Sequence, residues 1–275
     1  MNCEHITVNS KRIYLRSAGA GTPVLLLHGF GEDGEIWRHH WDAIAAKHHV
    51  LVPDLPGSGQ SAAIEDMSME GMADCMHALL DATLPNQSGG KSIIVIGHSM
   101  GGYITLAFAE KYPAVLKGFG LFHSTAYPDT AEKKEARKKS IAFIESHGSA
   151  PFIRQSTPNL FADPYRTNNA AQVEEMITRY SQFDPASLVA YYEAMIARPS
   201  RTDVLKNAGC PVLFIAGKQD KAVSYADILE QCHLPAVSEL CVLESAGHMG
   251  MFEDPEKCRK ALQDFLTTVT LPALA

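Results

Sequence analysis

Ile93-Ile94-Val95-Ile96-Gly97-His98-Ser99-Met100-Gly101-Gly102 is the stretch that decides the fold. Its four β-branched residues predict a strand covered on both faces. Gly102-Tyr103-Ile104-Thr105-Leu106-Ala107-Phe108-Ala109 predicts a buried helix directly after it. Gly97 to Gly101 between them fits G-x-S-x-G, a sharp strand-to-helix turn with the serine at its apex. Small residues at both ends have a steric reason, because a Cβ at either glycine would meet the neighbouring strand or helix. The serine hydroxyl is then expected at the top of a sheet. The helix N-terminus behind it favours negative charge at a reacting centre.

Working outward, apolar runs alternate with helical patterns. Residues 4–17 predict a hairpin ahead of Gly19-Ala20-Gly21. Pro23-Val24-Leu25-Leu26-Leu27 predicts a central strand ending at His28-Gly29-Phe30-Gly31. Ile36, Trp37, Trp41, Ile44 and Ala45 recur at helical spacing, and Val50-Leu51-Val52 leads into Pro53-Asp54-Leu55-Pro56-Gly57-Ser58-Gly59-Gln60-Ser61. A helix is expected over 70–84 and a strand over Gly118–Phe122. The pattern then breaks. Residues 124–200 read as mostly helical, with Asp129 as the cap of a helix carrying Glu132, Lys133, Lys134, Glu135, Arg137, Lys138 and Lys139 on a solvated face. Further helices are expected over 170–182 and 185–197. Alternation resumes with the run Pro211–Ala216, ending at Gly217-Lys218-Gln219-Asp220, and with Glu239–Leu243, followed by Ser245-Ala246-Gly247-His248-Met249. A last helix spans 255–268. Such alternation predicts an α/β fold with a mostly parallel central sheet flanked by helices. Residues 1–123 and 201–275 form its core, and 124–200 an inserted helical cap over the sheet's C-terminal edge.

With 275 residues, 46% of them apolar, the chain can bury a sizeable core. A net charge of −7 argues against nucleic acid or an anionic membrane as partner. No apolar run reaches the roughly 18 residues of a membrane span. The polar start, Met1-Asn2-Cys3-Glu4-His5, lacks a signal-peptide core, so a cytoplasmic protein is expected. The six cysteines form no C-x-x-C pair and read as small hydrophobes. No pattern implies a metal or an organic cofactor.

Ser99, Asp220 and His248 each follow an apolar strand, at the edge where open parallel sheets bind ligands. Their order is the one found in α/β-hydrolases. Over about 10–120 and 205–268 the chain resembles that family. His28-Gly29-Phe30-Gly31 resembles its oxyanion loop, Asp54-Leu55-Pro56-Gly57-Ser58-Gly59-Gln60-Ser61 its D-x-x-G-x-G-x-S turn, and Gly217-Lys218-Gln219-Asp220 and Ala246-Gly247-His248 its acid and histidine motifs. The resemblance implies Ser99 as nucleophile and His248 as the base that takes its proton. Asp220 would orient His248. Asp227 and Glu244 compete for that role, but only Asp220 directly follows a strand and a glycine. Some members carry the acid after the preceding strand, where this chain has His123, Ser124 and Thr125. The backbone N–H groups of Phe30 and Met100 are the implied oxyanion donors. His98 is read as a structural neighbour of the Ser99 turn, Asp54 as the tie of the turn it begins, and His28 as a support of the oxyanion loop. Trp37, His123 and Tyr127, with Phe152, Phe161, Tyr191 and Tyr192 of the cap, are candidates for the pocket wall.

Serine at the turn disfavours the dehalogenase and epoxide hydrolase reactions, because the members that run them carry aspartate there. The first expectation is hydrolysis of a small carboxylic ester through an acyl-enzyme. A carbon–carbon bond hydrolase with the same triad is the nearest rival. Its pocket would offer cations to a substrate carboxylate, and Arg154, Arg166, Arg179 and Arg198 are available in the cap. A non-catalytic or very slow ligand sensor on the same fold is the rival from another class.

Overall fold

In the computed structural model, which describes residues 1–84 and 93–271, Ile93–His98 is β5 and lies inside an eight-stranded sheet. The other strands are β1 (Asn2–Val8), β2 (Lys11–Ala18), β3 (Pro23–Leu27), β4 (His49–Pro53), β6 (Leu116–Phe122), β7 (Val212–Gly217) and β8 (Ser238–Leu243). Their order is β1-β2-β4-β3-β5-β6-β7-β8. The first two pairings are antiparallel and the rest parallel. Val95 of β5 pairs with Leu25 of β3 on one side and Phe119 of β6 on the other.

The unbroken apolar run of β5 follows from this position. Side chains alternate across a strand, so a strand covered on both faces needs apolar residues at every step. Ile93 and Val95 pack into one core with Met72 and Met76 of the helix Met69–Thr83 and Leu106 of the helix Met100–Lys111. Ile94 and Ile96 pack into the other with Leu262 and Phe265 of the helix Pro255–Thr270. Trp37 and Phe122 belong to this second core, edge to face with centroids 5.4 Å apart.

The helix expected around Ile36 to Ala45 is broken in two. Gly34–Trp37 is a 3₁₀ turn capped by Asp33, and Trp41–Ala45 is a separate short helix. The buried imidazole of His40, held by the Met251 carbonyl at 3.2 Å, lies between them. Between β6 and β7 the chain forms the helices Ala131–His147, Ser149–Ser156, Asp163–Asn168, Ala170–Tyr180, Pro185–Ala197 and Thr202–Lys206. Ser149–Ser156, Asp163–Asn168 and Thr202–Lys206 were not legible, since none exceeds eight residues and so none gives a clear period. Ile144, Phe152, Met176, Tyr180 and Leu188 of this insert share the second core with the sheet. The reading of Asp129 as a helix cap is corrected. Thr130 caps the helix, accepting from Lys133 N, while Asp129 is buried against Arg137 and Arg198. No helix among the described residues is long and apolar enough to cross a membrane.

The turn after β4 is organised by Asp54. Its Oδ1 accepts from Arg16 Nη1 at 2.6 Å and Gly34 N at 3.0 Å, and its Oδ2 from Gln60 N at 3.0 Å. Gly59 sits at φ +50, where a Cβ would lie 2.2 Å from Asp54 Oδ2. Arg16 and Asp54 are both almost fully buried, so removing one partner leaves an uncompensated charge. Asp54→Ala is expected to lower stability by about 3–5 kcal/mol in urea unfolding. A loss below about 1 kcal/mol would remove this ion pair from the supports of the turn.

Candidate active site

Ser99 stands between β5 and the helix Met100–Lys111 with φ 50 and ψ −114, in a region that non-glycine residues seldom occupy. Such a conformation costs about 1–3 kcal/mol and persists only where the surroundings impose it. Here Ser99 N donates to Phe122 O at 2.9 Å, while Ser99 O accepts from Gly102 N at 2.9 Å and Ser124 Oγ at 2.8 Å. The flanking glycines leave no freedom. A Cβ on Gly97 would lie 2.1 Å from Gly101 O, and one on Gly101 would lie 2.5 Å from His28 O. The strained serine is therefore held from both sides.

Asp220 follows β7. Its Oδ1 accepts from Ala222 N at 2.8 Å and Val223 N at 2.9 Å. His248 Nδ1 lies 2.7 Å from Asp220 Oδ2, so this pair is joined. The other oxygen-facing imidazole is His123, whose Nδ1 is 3.2 Å from Asp220 Oδ2 but poorly aligned for a hydrogen bond. His123 Nε2 accepts from Gly250 N at 3.2 Å, which assigns the His123 proton to Nδ1. Burial lowers the His123 pKa to about 4, so its ring is neutral near pH 7. Burial also opposes charge on His248, but the Asp220 carboxylate outweighs it and raises His248 above the ordinary imidazole value. Asp220 in turn is held far below the usual carboxylate range: burial alone would raise it, and the two histidines overturn that. His123, Asp220 and His248 also place ligand-capable atoms within 4.8 Å of one another. Hydrogen bonding accounts for His248, Asp220 and the far nitrogen of His123 without an ion.

The loop after β3 closes the site from the other side. His28 Nδ1 bonds to Gly29 O at 2.8 Å, and its Nε2 accepts from Leu55 N at 2.8 Å. Gly29 N donates to Glu32 Oε2 at 2.7 Å, and His98 links Glu32 to the His248 carbonyl at 3.0 Å on each side. The backbone N–H groups of Phe30 and Met100 have no intramolecular acceptor among the described residues.

Ser99 and His248 line one cavity of about 170 Å³, with Phe30, Tyr103, Phe152 and Tyr192 among its walls. Among the described residues no group stands in hydrogen-bond geometry with Ser99 Oγ, so the structure joins Asp220 to His248 and leaves Ser99 beside them in the shared cavity. The expected wall residues need correction. Trp37 is fully buried in the second core, His123 is fully buried behind Asp220, and Tyr127 points to Glu230, its hydroxyl 3.0 Å away. Of the aromatics expected in the cap, Phe152 and Tyr192 line the cavity, whereas Phe161 packs on Tyr165 and Tyr191 donates to Pro56 O. Arg154, Arg166, Arg179 and Arg198 pair with Glu174, Asp163, Asp33 and Asp129, away from the lining. The wall residues Arg137 and Glu32 were missed. Arg137 sits in a charge run that looks solvated, and nothing in the sequence sets Glu32 apart.

A family model for the alpha/beta hydrolase fold matches residues 22–255. The chain belongs to the alpha/beta hydrolase fold family. Among its relatives, (E)-2-((N-methylformamido)methylene)succinate hydrolase of Acinetobacter baylyi is 24% identical over 272 residues, 94% of this chain and 96% of that protein. A thermophilic esterase of Thermogutta terrifontis, solved with malate bound, is 29% identical with a TM-score of 0.90, over 98% of this chain and 100% of that one. The enol-lactonase of Burkholderia xenovorans shares the fold at a TM-score of 0.87 with 21% identity, over 96% of this chain and 100% of that one. The alpha/beta hydrolase architecture expected from the motifs is thus the observed one.

The histidine environments are open to direct measurement. In ¹H–¹⁵N spectra His123 is expected to stay neutral, with its proton on Nδ1, down to about pH 4. His248 is expected to titrate above about 6.5. A His123 that gains a proton near pH 6.5, or a His248 that titrates below it, would contradict these assignments.

Proposed function

We propose that the protein is a serine hydrolase that cleaves a small carboxylic ester through an acyl-enzyme on Ser99. The observation that carries this reading is the shared cavity of Ser99 and His248, with His248 Nδ1 2.7 Å from the buried carboxylate of Asp220. Ser99 Oγ attacks the ester carbonyl as His248 Nε2 takes its proton. The imidazolium, stabilised by Asp220, passes that proton to the departing alkoxide. Water, activated by His248 in the same way, then attacks the acyl-enzyme. Hydrolysis releases the acid and restores Ser99.

The oxyanion of each tetrahedral intermediate accepts from Phe30 N and Met100 N, the second at the start of a helix, where the dipole adds to the effect. Losing one such donor costs about 3 kcal/mol of barrier. Tightening of the Ser99–His248 contact accompanies substrate binding, because such bonds are often long in the free enzyme. Residues 124–200 act as the cap over the site, which the wall positions of Phe152 and Tyr192 support.

Three measurements test the reading. Ester turnover is expected to fall by about 10⁴-fold or more in Ser99→Ala, with about 10⁴-fold lost in Asp220→Asn. The cavity is close to the roughly 150 Å³ that accommodates a benzene ring. Methyl acetate and butyrate are therefore expected to outrun methyl octanoate in kcat/KM. Full turnover by Ser99→Ala would overturn the proposal. The base must be neutral to act, so kcat/KM is expected to fall as pH drops through the raised pKa of His248, with a midpoint above about 6.5. In the residual activity of Asp220→Asn that midpoint moves down, since the charge that raises it is gone. A midpoint unmoved by the substitution would detach the two residues.

A further inference from the structure

The helix Ala131–His147 carries its charges mostly to solvent: Glu132, Glu135, Lys138 and Lys139 are exposed. Arg137 is different. It lines the cavity that holds Ser99 and His248, and its side chain is 20% exposed. Nε donates to Asp129 Oδ2 at 2.5 Å, and Nη2 to Oδ1 at 3.3 Å. Its guanidinium carbon lies 5.4 Å from the ring centroid of Tyr192, which lines the same cavity. Nη1 has no acceptor among the described residues.

Asp129 is already neutralised without Arg137. Its Oδ1 accepts from Arg198 Nη2 at 3.0 Å, and Arg198 is 4% exposed, 3.9 Å from the Tyr103 ring centroid. Two guanidinium groups against one carboxylate leave one positive charge in surplus, and Arg137 brings it to the cavity wall. Glu32, the carboxylate among the lining residues, forms no ion pair with Arg137; its Oε2 is turned to Gly29 N and His98 Nδ1, at 2.7 and 3.0 Å. A charge withdrawn from water is costly until an opposite charge meets it. An arginine fork fits a carboxylate in particular.

We propose that Arg137 is a specificity-determining residue that receives a carboxylate of the substrate, so that the preferred substrate is the half-ester of a short dicarboxylic acid. This rests on the serine-hydrolase reading of the site. Hydrolysis adds water across the acyl–oxygen bond, releasing the alcohol and the diacid. The free carboxylate of the acyl part stays at Arg137 throughout, while Ser99 works on the other end. Phe30, Phe152 and Met176 supply the apolar wall for the short carbon chain between.

The test compares monomethyl succinate with methyl butyrate, which differ mainly in the terminal carboxylate, by pH-stat titration. The wild type is expected to favour the half-ester in kcat/KM. Arg137→Met is expected to shrink that preference by about 10- to 100-fold, with the loss in KM. Arg137→Lys, which keeps the charge without the fork, is expected to fall between them, and it serves alone if Arg137→Met shows an unfolded circular dichroism spectrum. A wild type that hydrolyses butyrate at least as well as the half-ester, or a preference unchanged in the variants, overturns the inference and spares the esterase reading. If neither ester is turned over, the esterase reading fails. Calorimetric binding of monomethyl succinate then decides: weakening of about 10-fold or more in the Arg137 variants supports the anion site, and equal or absent binding removes it.

Discussion

The site depends first on a steric constraint. Ser99 is held in a strained conformation because the chain has no other way to pass from β5 into the helix behind it. The backbone at Gly97 and Gly101 approaches neighbouring carbonyls so closely that no Cβ fits. The same contacts that forbid larger residues fix the direction of the serine. Hydrogen bonds from Gly102 N and Ser124 Oγ to the Ser99 carbonyl close the turn. A buried sheet with strands on both sides of β5 supplies the rigidity that keeps the strain from relaxing.

Onto this frame the chain adds buried charge in a consistent way. Asp220, Asp54, Asp129 and Glu32 are each surrounded by donors from several parts of the chain. Asp220 takes two amides and an imidazole, Asp54 a guanidinium and two amides, Asp129 two guanidinium groups, and Glu32 an amide and an imidazole. Buried carboxylates persist where the surroundings satisfy them. Each one here ties a loop at the sheet's edge to something more distant. The positions of His248, the loop after β3 and the inserted helices are thereby coupled. Asp129 stands apart because two cations share it, and one of them, Arg137, lines the cavity.

Much of the frame was legible in the sequence for physical reasons. A strand covered on both faces writes a continuous apolar run, as Ile93–Ile96 and Pro23–Leu27 do. A glycine needed for close approach has no substitute, so the turn around Ser99 keeps its signature. Asp220 could be placed because it comes just after the apolar run Pro211–Ala216 and a glycine, and His248 because Ala246-Gly247-His248 resembles the family's histidine motif beyond β8. The cavity wall was much less legible. Trp37 and His123 are large or polar residues near motifs, yet they pack behind the site. Arg137 sits in a run of charges whose period suggests solvent, and only the fold turns it inward. Short helices such as Ser149–Ser156 carry too few residues to set a period. Walls are made by contacts between segments distant in sequence, and no local pattern records them.

The most direct test of the central claim is the intact mass of the protein after exposure to an alkyl fluorophosphonate, with peptide mapping of the adduct. The expected result is a single phosphonyl adduct on Ser99, formed in the wild type and lost in Ser99→Ala. A folded protein that gains no mass, or one labelled at another residue and not at Ser99, would contradict the assignment of Ser99 as an activated nucleophile.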